Sequence, residues 1–241
     1  MKITVCIATY NGGKYIREQL DSILPQLSVD DEVVVSDDAS TDDTLQVVEA
    51  LGDKRIKVFN HKRGKVKFTN DYATANFENA LRHASGDIIF LSDQDDVWMS
   101  NKVQTMLKAL EQSDMVMSDC IVTDGQLNVI HDSYAKAFVP FSTSLISNFV
   151  RCGFLGSCMA FRRCVLERAL PFPHYGVGHD LWLGKVGLRH YRFSYILKPL
   201  MKYRRHTSTV TMGGKENATS LWFKVSYRLY ILKAIIKLIM K

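Results

Sequence analysis

Hydrophobic and polar positions along the first half of the chain switch repeatedly between two periods. Residues 2 to 8 are an almost continuous apolar run, as a strand covered on both faces requires. From Lys14 to Leu24 the spacing becomes helical, with Tyr15, Ile16, Leu20, Ile23 and Leu24 on one face. A second strand, Glu32 to Ser36, runs into Asp37-Asp38. Ser40 or Thr41 is placed to cap a helix reaching about Leu51, and Asp42 and Asp43 suit the positive end of its dipole. A strand over Arg55–Asn60, a helix over Asn70–His83 and a strand over Asp87–Leu91 continue the alternation. Strands separated by helices predict an α/β fold, a mostly parallel sheet flanked by helices. Beyond about Ser113 the pattern loosens into shorter elements, with an apolar, glycine-containing stretch at Asn148 to Phe161. No repeat or Pro/Gly-rich linker divides the chain, so residues 1–215 read as one domain.

Ligands of such sheets sit outside the carboxyl ends of the strands. Three polar clusters fall there: Thr9-Tyr10-Asn11, Asp37-Asp38, and the end of Ile88-Ile89-Phe90-Leu91-Ser92-Asp93-Gln94-Asp95-Asp96. The last is an apolar run that stops in three carboxylates, which are unfavourable to bury unless a cation or solvent meets them. Neither GxGxxG nor GxxxxGK[ST] occurs, which disfavours a dinucleotide Rossmann site and a P-loop.

Composition narrows the class. The 241 residues are 46% hydrophobic, enough for a large core and against disorder. An excess of 31 Lys+Arg over 25 Asp+Glu gives +6, compatible with anionic substrates or an anionic membrane surface. Nucleic acid is not an expected partner, because the cations do not interleave with aromatic residues on one element. Cys6, Cys120, Cys152, Cys158 and Cys164 are odd in number and lack a CxxC pair, and they read as reduced thiols of a cytoplasmic protein. The start lacks the pattern of a signal peptide, and no charge-free apolar run reaches the ~18–20 residues of a membrane span.

Each constellation has a bland reading beside a chemical one. Asp93-Gln94-Asp95 is a solvated acidic turn, or a set of oxygens sharing a divalent ion with a diphosphate. Asp37 and Asp38 cap a helix, or accept hydrogen bonds from a base and a ribose. Thr9 and Asn11 are turn residues beside Gly12-Gly13, or nucleotide contacts. Asp180, after His179 and before Leu181-Trp182, is an N-cap or a general base at a helix start. His206 is structural or a metal ligand, and Arg204 and Arg205 are candidates for holding a diphosphate. The loop His61-Lys62-Arg63-Gly64-Lys65-Val66-Lys67 is a solvated cationic face, or it steers an anionic substrate or lies on phospholipid. In the tail, Lys233, Lys237 and Lys241 share a polar arc opposite Leu232, Ile235, Ile236, Leu238 and Ile239. Lys224 and Arg228 break that pattern, so it is clean only from about Leu229. Residues 216–241 thus read as a basic amphipathic helix, lying at a membrane surface or docked on the domain.

Taken together, Ala8-Thr9-Tyr10-Asn11-Gly12, Ser36-Asp37-Asp38-Ala39-Ser40-Thr41-Asp42, Ala84-Ser85-Gly86-Asp87, Ser92-Asp93-Gln94-Asp95-Asp96-Val97-Trp98 and His179-Asp180 resemble the inverting family 2 glycosyltransferases of GT-A fold. The Ser-Asp-Gln-Asp-Asp-x-Trp form, preceded by Asn76-Phe77-Glu78, is similar to the branch that builds bacterial O-antigen and other surface polysaccharides. The likeness extends to about Thr209. It implies that Thr9, Tyr10, Asn11, Asp37, Asp38 and Asp93 hold the nucleotide and that Asp95 and His206 ligate Mn2+ or Mg2+. It further implies Asp180 as base and Asp96, Arg204 and Arg205 at the donor sugar or one layer behind it. Gly156, Ser157 and Trp182 would lie on the acceptor side. The implied partners are a nucleotide-sugar donor and a polyprenyl-diphosphate-linked sugar acceptor at the inner face of the cytoplasmic membrane. UDP-galactose and UDP-glucose lead dTDP-rhamnose as donors. Two other classes compete. Asp93-Gln94-Asp95-Asp96-Val97 fits the DxDx[TV] pattern of haloacid dehalogenase-type phosphohydrolases, but that motif belongs on a first strand and here three strands precede it. The other is a non-catalytic membrane-surface scaffold, against which the full set of carboxylates argues.

Overall fold

The computed structural model describes residues 1–64, 66, 68, 70–144, 153–173, 176–206, 228–230 and 232–233. Its first half follows the predicted alternation: β1 (Ile3–Thr9), α1 (Gly13–Ile23), β2 (Glu32–Asp37), α2 (Thr44–Glu49), β3 (Ile56–Asn60), α3 (Asn70–His83) and β4 (Ile88–Asp93). β5 (Val97–Trp98), α4 (Lys102–Leu110), β6 (Met115–Thr123), β7 (Val129–His131), α5 (Tyr134–Ala137), β8 (Met159–Arg162), α6 (Arg163–Ala169), α7 (His179–His190) and β9 (Phe193–Arg204) follow. Among the described residues the strands form one sheet in the order β3-β2-β1-β4-β8-β6-β9-β5, with β7 also pairing to β6. β3, β2, β1 and β4 are parallel, β8 runs against both β4 and β6, and β6 and β9 are parallel again. This is the expected mostly parallel α/β sheet flanked by helices.

Burial explains the sequence pattern. β1, β2 and β4 lie between helix layers, so nearly every side chain on them is enclosed and the apolar runs are continuous rather than alternating. α1 buries Ile16, Gln19, Leu20 and Ile23. Tyr15, expected on that face, turns instead toward the end of β9, where its ring meets Arg204 and His206. The helix after β2 begins at Thr44, later than Ser40 or Thr41 would set it, because both are engaged elsewhere. Ser40 Oγ donates to Asp37 and accepts from Asn11 N, and Thr41 N donates to Asn11 Oδ1. The second half is more regular than expected, with β6 and β9 running 9 and 12 residues. Much of the stretch from Asn148 and most of the 216–241 tail lie outside the described residues. Within the tail, 228–230 and 232–233 are helical, and the Tyr230 ring meets Phe68 edge-on at 5.5 Å.

The amino ends of the central strands are fastened by a buried carboxylate. Glu32 Oε1 accepts from Thr4 Oγ1, Ser85 N and Ser85 Oγ, each at 2.7 Å, while Oε2 accepts from Lys57 Nζ at 2.6 Å and Lys2 Nζ at 3.2 Å. Gly86 N then donates to Thr4 Oγ1. The Ala84-Ser85-Gly86-Asp87 segment therefore joins β1, β2 and β4 at the end remote from the polar clusters. Burial pushes the Glu32 carboxyl up, but the Lys57 ammonium and the Ser85 and Thr4 donors outweigh it and hold the group well below the usual carboxylate range. A depressed carboxylate contributes stability above its unfolded pKa of roughly 4.3 and loses it as pH falls. Glu32→Gln should lower stability at neutral pH by about 2 kcal/mol and flatten the loss below about pH 4. Urea melts across pH check this, and curves parallel to wild type would refute the assignment.

Candidate active site

The ladder register brings the polar clusters together. Thr9 pairs with Asp37, Ala8 with Asp93, and Asp37 with Asn60, so the carboxyl ends of β1, β2, β3 and β4 terminate level with one another. From α3, buried Asn76 steadies this edge: its Nδ2 donates to Thr9 O at 3.0 Å and its Oδ1 accepts from Ser36 Oγ at 2.6 Å.

The loops that leave these strands are tied to one another. Asn11 Oδ1 accepts from Thr41 N, Gly12 N donates to Thr44 Oγ1, and Gly13 N donates to Asp42 Oδ2. The first N–H groups of α1 are thereby satisfied inside the protein, and the Asn11 side chain works as a loop tie. Asp37 is likewise engaged, accepting from Ser40 N at 2.9 Å and Ser40 Oγ at 2.5 Å. Asp38, equally buried, has His61 Nδ1 at 2.8 Å and Arg63 Nε at 3.5 Å. The Arg63 guanidinium lies between two rings, 3.8 Å from the centroid of Tyr10 and 4.1 Å from that of Tyr72. The first part of the cationic loop thus closes over the β2 end and forms an aromatic and cationic wall around Asp38.

A second tie joins the loop after β1 to the acidic turn after β4. Gln94 Oε1 accepts from Thr9 Oγ1 at 2.5 Å and from Tyr10 N at 2.9 Å, and Nε2 donates to Tyr10 O at 3.1 Å. A Cβ at position 12 would meet the Gln94 amide, so a larger residue there would displace this tie. Thr9 is fully buried by this arrangement, whereas Tyr10 stays open.

The three acidic side chains of the turn have different surroundings. Asp95 Oδ2 lies 2.8 Å from His206 Nε2, both largely enclosed. Asp96 is fully buried; its Oδ1 accepts from Arg204 N at 3.1 Å and its Oδ2 has no hydrogen-bond partner. Burial, with the Asp95 and Asp93 charges adding, raises the Asp96 carboxyl well above its usual range. Asp93 is pushed up to about 7, by burial first and then by Asp95, with Asp180 contributing. Beneath the turn lies Lys102, fully enclosed, donating to Ser157 O at 2.6 Å and standing 4.3 Å from the Trp98 ring centroid. Burial lowers its ammonium to about 8, against the opposing pull of Asp96 and Asp93.

Arg204 is committed to the interior. Its Nε donates to Asp95 O at 2.8 Å, Nη1 to Gly125 O at 2.9 Å and Nη2 to Glu18, and it stands 4.7 Å from the Tyr15 ring centroid. All three guanidinium nitrogens are thus engaged within the protein. Arg205 points to the outer side, 5.4 Å from the Phe138 ring centroid.

Asp180 sits in the first turn of α7, whose N-cap is Gly178. Its Oδ1 accepts from Leu181 N at 2.7 Å, and its other oxygen has no hydrogen-bond partner among the described residues. His179 stacks on Phe77 with centroids 4.1 Å apart, and burial lowers its pKa. A Cβ on Gly156 would come within 2.5 Å of His179 Nε2, so glycine there lets the start of α7 approach the sheet. Ser157 is buried and carries the carbonyl that Lys102 holds. Trp182, expected on the acceptor side, is a correction: it is fully enclosed and its Nε1 donates to Ala169 O at 2.8 Å, packing α7 on α6.

The donor set suits a hard divalent ion only in part by itself. Asp95 and His206 converge, and among the described residues no group of three or more His, Cys, Asp or Glu side chains forms a closed cage. Two protein ligands with open positions fit an ion whose remaining partners are substrate phosphates and water.

The Glycosyl transferase family 2 model matches residues 4–170. The chain is 30% identical over 239 residues to GalNAc(5)-diNAcBac-PP-undecaprenol beta-1,3-glucosyltransferase of Campylobacter jejuni, covering 95% of this chain and 71% of that one. It is 27% identical to dTDP-rhamnosyl transferase RfbG of Shigella flexneri, covering 92% and 77%. Among solved structures, Staphylococcus aureus TarS 1-349 in complex with UDP-GlcNAc shares the fold, with TM-score 0.68 at 22% identity over 97% of this chain. The chain spans 66% of that TarS chain and 54% of a Nostoc glycosyltransferase that is 30% identical to it.

Replacing the Arg204 fork tests the scaffold of this site. Arg204→Lys keeps the charge but cannot reach Glu18, Asp95 O and Gly125 O together, so stability should fall by about 3 kcal/mol. Chemical denaturation measures this, and a change below about 0.5 kcal/mol would contradict the role described.

Proposed function

Since the chain belongs to glycosyl transferase family 2, we propose that it moves a hexose from a nucleotide-sugar to a sugar on a lipid diphosphate carrier, with inversion, in bacterial surface polysaccharide synthesis. The observation that carries this reading is the convergence of Asp38, Asp93, Asp95 and Asp180 on one sheet edge. The Campylobacter and Shigella relatives, a glucosyltransferase named for an undecaprenol diphosphate-linked acceptor and a dTDP-rhamnosyl transferase, support the substrate classes. UDP-glucose and UDP-galactose are the favoured donors, with dTDP-rhamnose next. The family match and the position of Asp93 on the fourth strand weigh against the phosphohydrolase reading.

In this mechanism Asp38, with Arg63 and Tyr10 beside it, binds the base, and Asp93 lines the ribose, while Thr9, buried beneath them, holds Gln94 in place. Asp95 and His206 would hold Mn2+ or Mg2+, which when bound offsets charge on the departing diphosphate. Arg204 fixes the Asp95 backbone, and Gln94 keeps the nucleotide loop in register with the acidic turn. Asp180, presented at the start of α7, takes the proton from the acceptor hydroxyl as that oxygen attacks the anomeric carbon from the face opposite the leaving group. Asp96 stays buried behind the turn. Among the described residues no helix is long and apolar enough to cross a membrane. The protein acts at the inner face of the cytoplasmic membrane.

Asp180→Asn should keep the thermal shift induced by the donor nucleotide while transfer falls roughly 10²–10⁴-fold. Full turnover by that variant would remove Asp180 from the chemistry. A panel of nucleotide-sugars, with and without Mn2+, should give its largest stabilisation with a UDP-hexose. Stabilisation by none of them would favour the non-catalytic scaffold.

A further inference from the structure

We propose that the face built by β7, α5 and the break in β9 is a docking surface for an anionic phospholipid bilayer. The inference rests on the reading of a lipid-linked acceptor but is tested apart from it.

Among the described residues β7 pairs only with β6, and all three of its side chains are exposed, Val129 at 54% and Ile130 at 50%. Opposite it the β6–β9 register breaks: Ser118 pairs with Ile196, but Asp119 pairs with Pro199. The two intervening residues, Leu197 and Lys198, are pushed outward, leaving Leu197 82% exposed. Val129, Ile130, Leu197 and Pro199 line one hollow of about 770 Å3 together with His131 and Lys136. Large aliphatic side chains gathered around one hollow on a polar surface mark a place where another apolar phase is met.

Charge selects the phase. Lys136 and Lys198 flank the hollow, and Arg205 lies against Phe138 at its border. Of the acids lining the hollow, Asp119 is buried and accepts from Cys120 N, Ala135 N and Ser133 Oγ, which leaves Asp132 as the exposed one. Aliphatic tips ringed by cations match the interface of a bilayer carrying anionic lipid. The position is also apt: Arg205 N donates to Thr123 O, and the next residue, His206, meets Asp95. A bilayer seated here would bring a lipid-linked sugar to the margin of the acidic turn. The described tail residues engage another place, Tyr230 resting on Phe68.

Flotation of the full-length protein with phosphatidylcholine vesicles, with and without phosphatidylglycerol and with no sugar substrate present, tests this. Wild type should float only with phosphatidylglycerol. Lys136→Glu with Lys198→Glu should reduce partition at least fivefold for each cation lost, and Ile130→Ser with Leu197→Ser about tenfold or more. Leu229→Ser with Leu232→Ser, in the tail, should float like wild type. Unchanged melting temperature and UDP-induced shift in the surface variants show that they are folded. The proposal is overturned if wild type stays in the pellet, or if the surface variants float normally while the tail variant does not. It is also overturned if sedimentation shows a dimer that these substitutions dissolve, since the occupant is then a second copy. Vesicle binding without glycosyl transfer would sink only the catalytic reading, and transfer to a soluble acceptor without vesicle binding only this one.

Discussion

Everything at the active edge depends on the register of a parallel ladder. Thr9 opposite Asp37 and Ala8 opposite Asp93 put three strand ends at one level. Because side chains alternate with a period of two, a slip of one residue would turn each polar terminus to the other face of the sheet. The register is held from both ends by different means. At the amino ends Glu32 draws Thr4, Ser85, Lys2 and Lys57 to one carboxylate. At the carboxyl ends the fastening is by amides, through Asn76 and Gln94.

That division follows from what each end must tolerate. Ion pairs suit the amino end, where no further charge has to be accommodated. At the carboxyl end burial raises the Asp93 and Asp96 carboxyls, and repulsion adds to it, from Asp95 on both and from Asp180 on Asp93. The opposing cation that the fold supplies below them, Lys102, is itself weakened by burial. The edge is therefore short of positive charge, which a divalent ion and an arginine or histidine from the outer loops can make good.

The sequence reveals those parts of the molecule that depend on short-range periodicity. The limits of α3 agree with its helical spacing, and the buried strands β1, β2 and β4 read directly as apolar runs. Fold class and family were legible because strand-end motifs recur in order along the chain. The supporting contacts were not, since they join residues far apart: Gln94 to Thr9 across 85 positions, Arg204 to Glu18 across 186. A buried lysine such as Lys102 and an enclosed tryptophan such as Trp182 give no periodic sign of which way they face. Arg63 was visible only as one cation among several, and it is the fold that sets it between Tyr10 and Tyr72.

The Gln94 clip is electrically neutral on both sides, an amide against a hydroxyl and a peptide group. Its strength is accordingly indifferent to ionic strength and to the arrival or departure of phosphate charge, unlike the ion pairs nearby. A loop held in this way keeps its fastening whatever charge comes to the strand ends or leaves them.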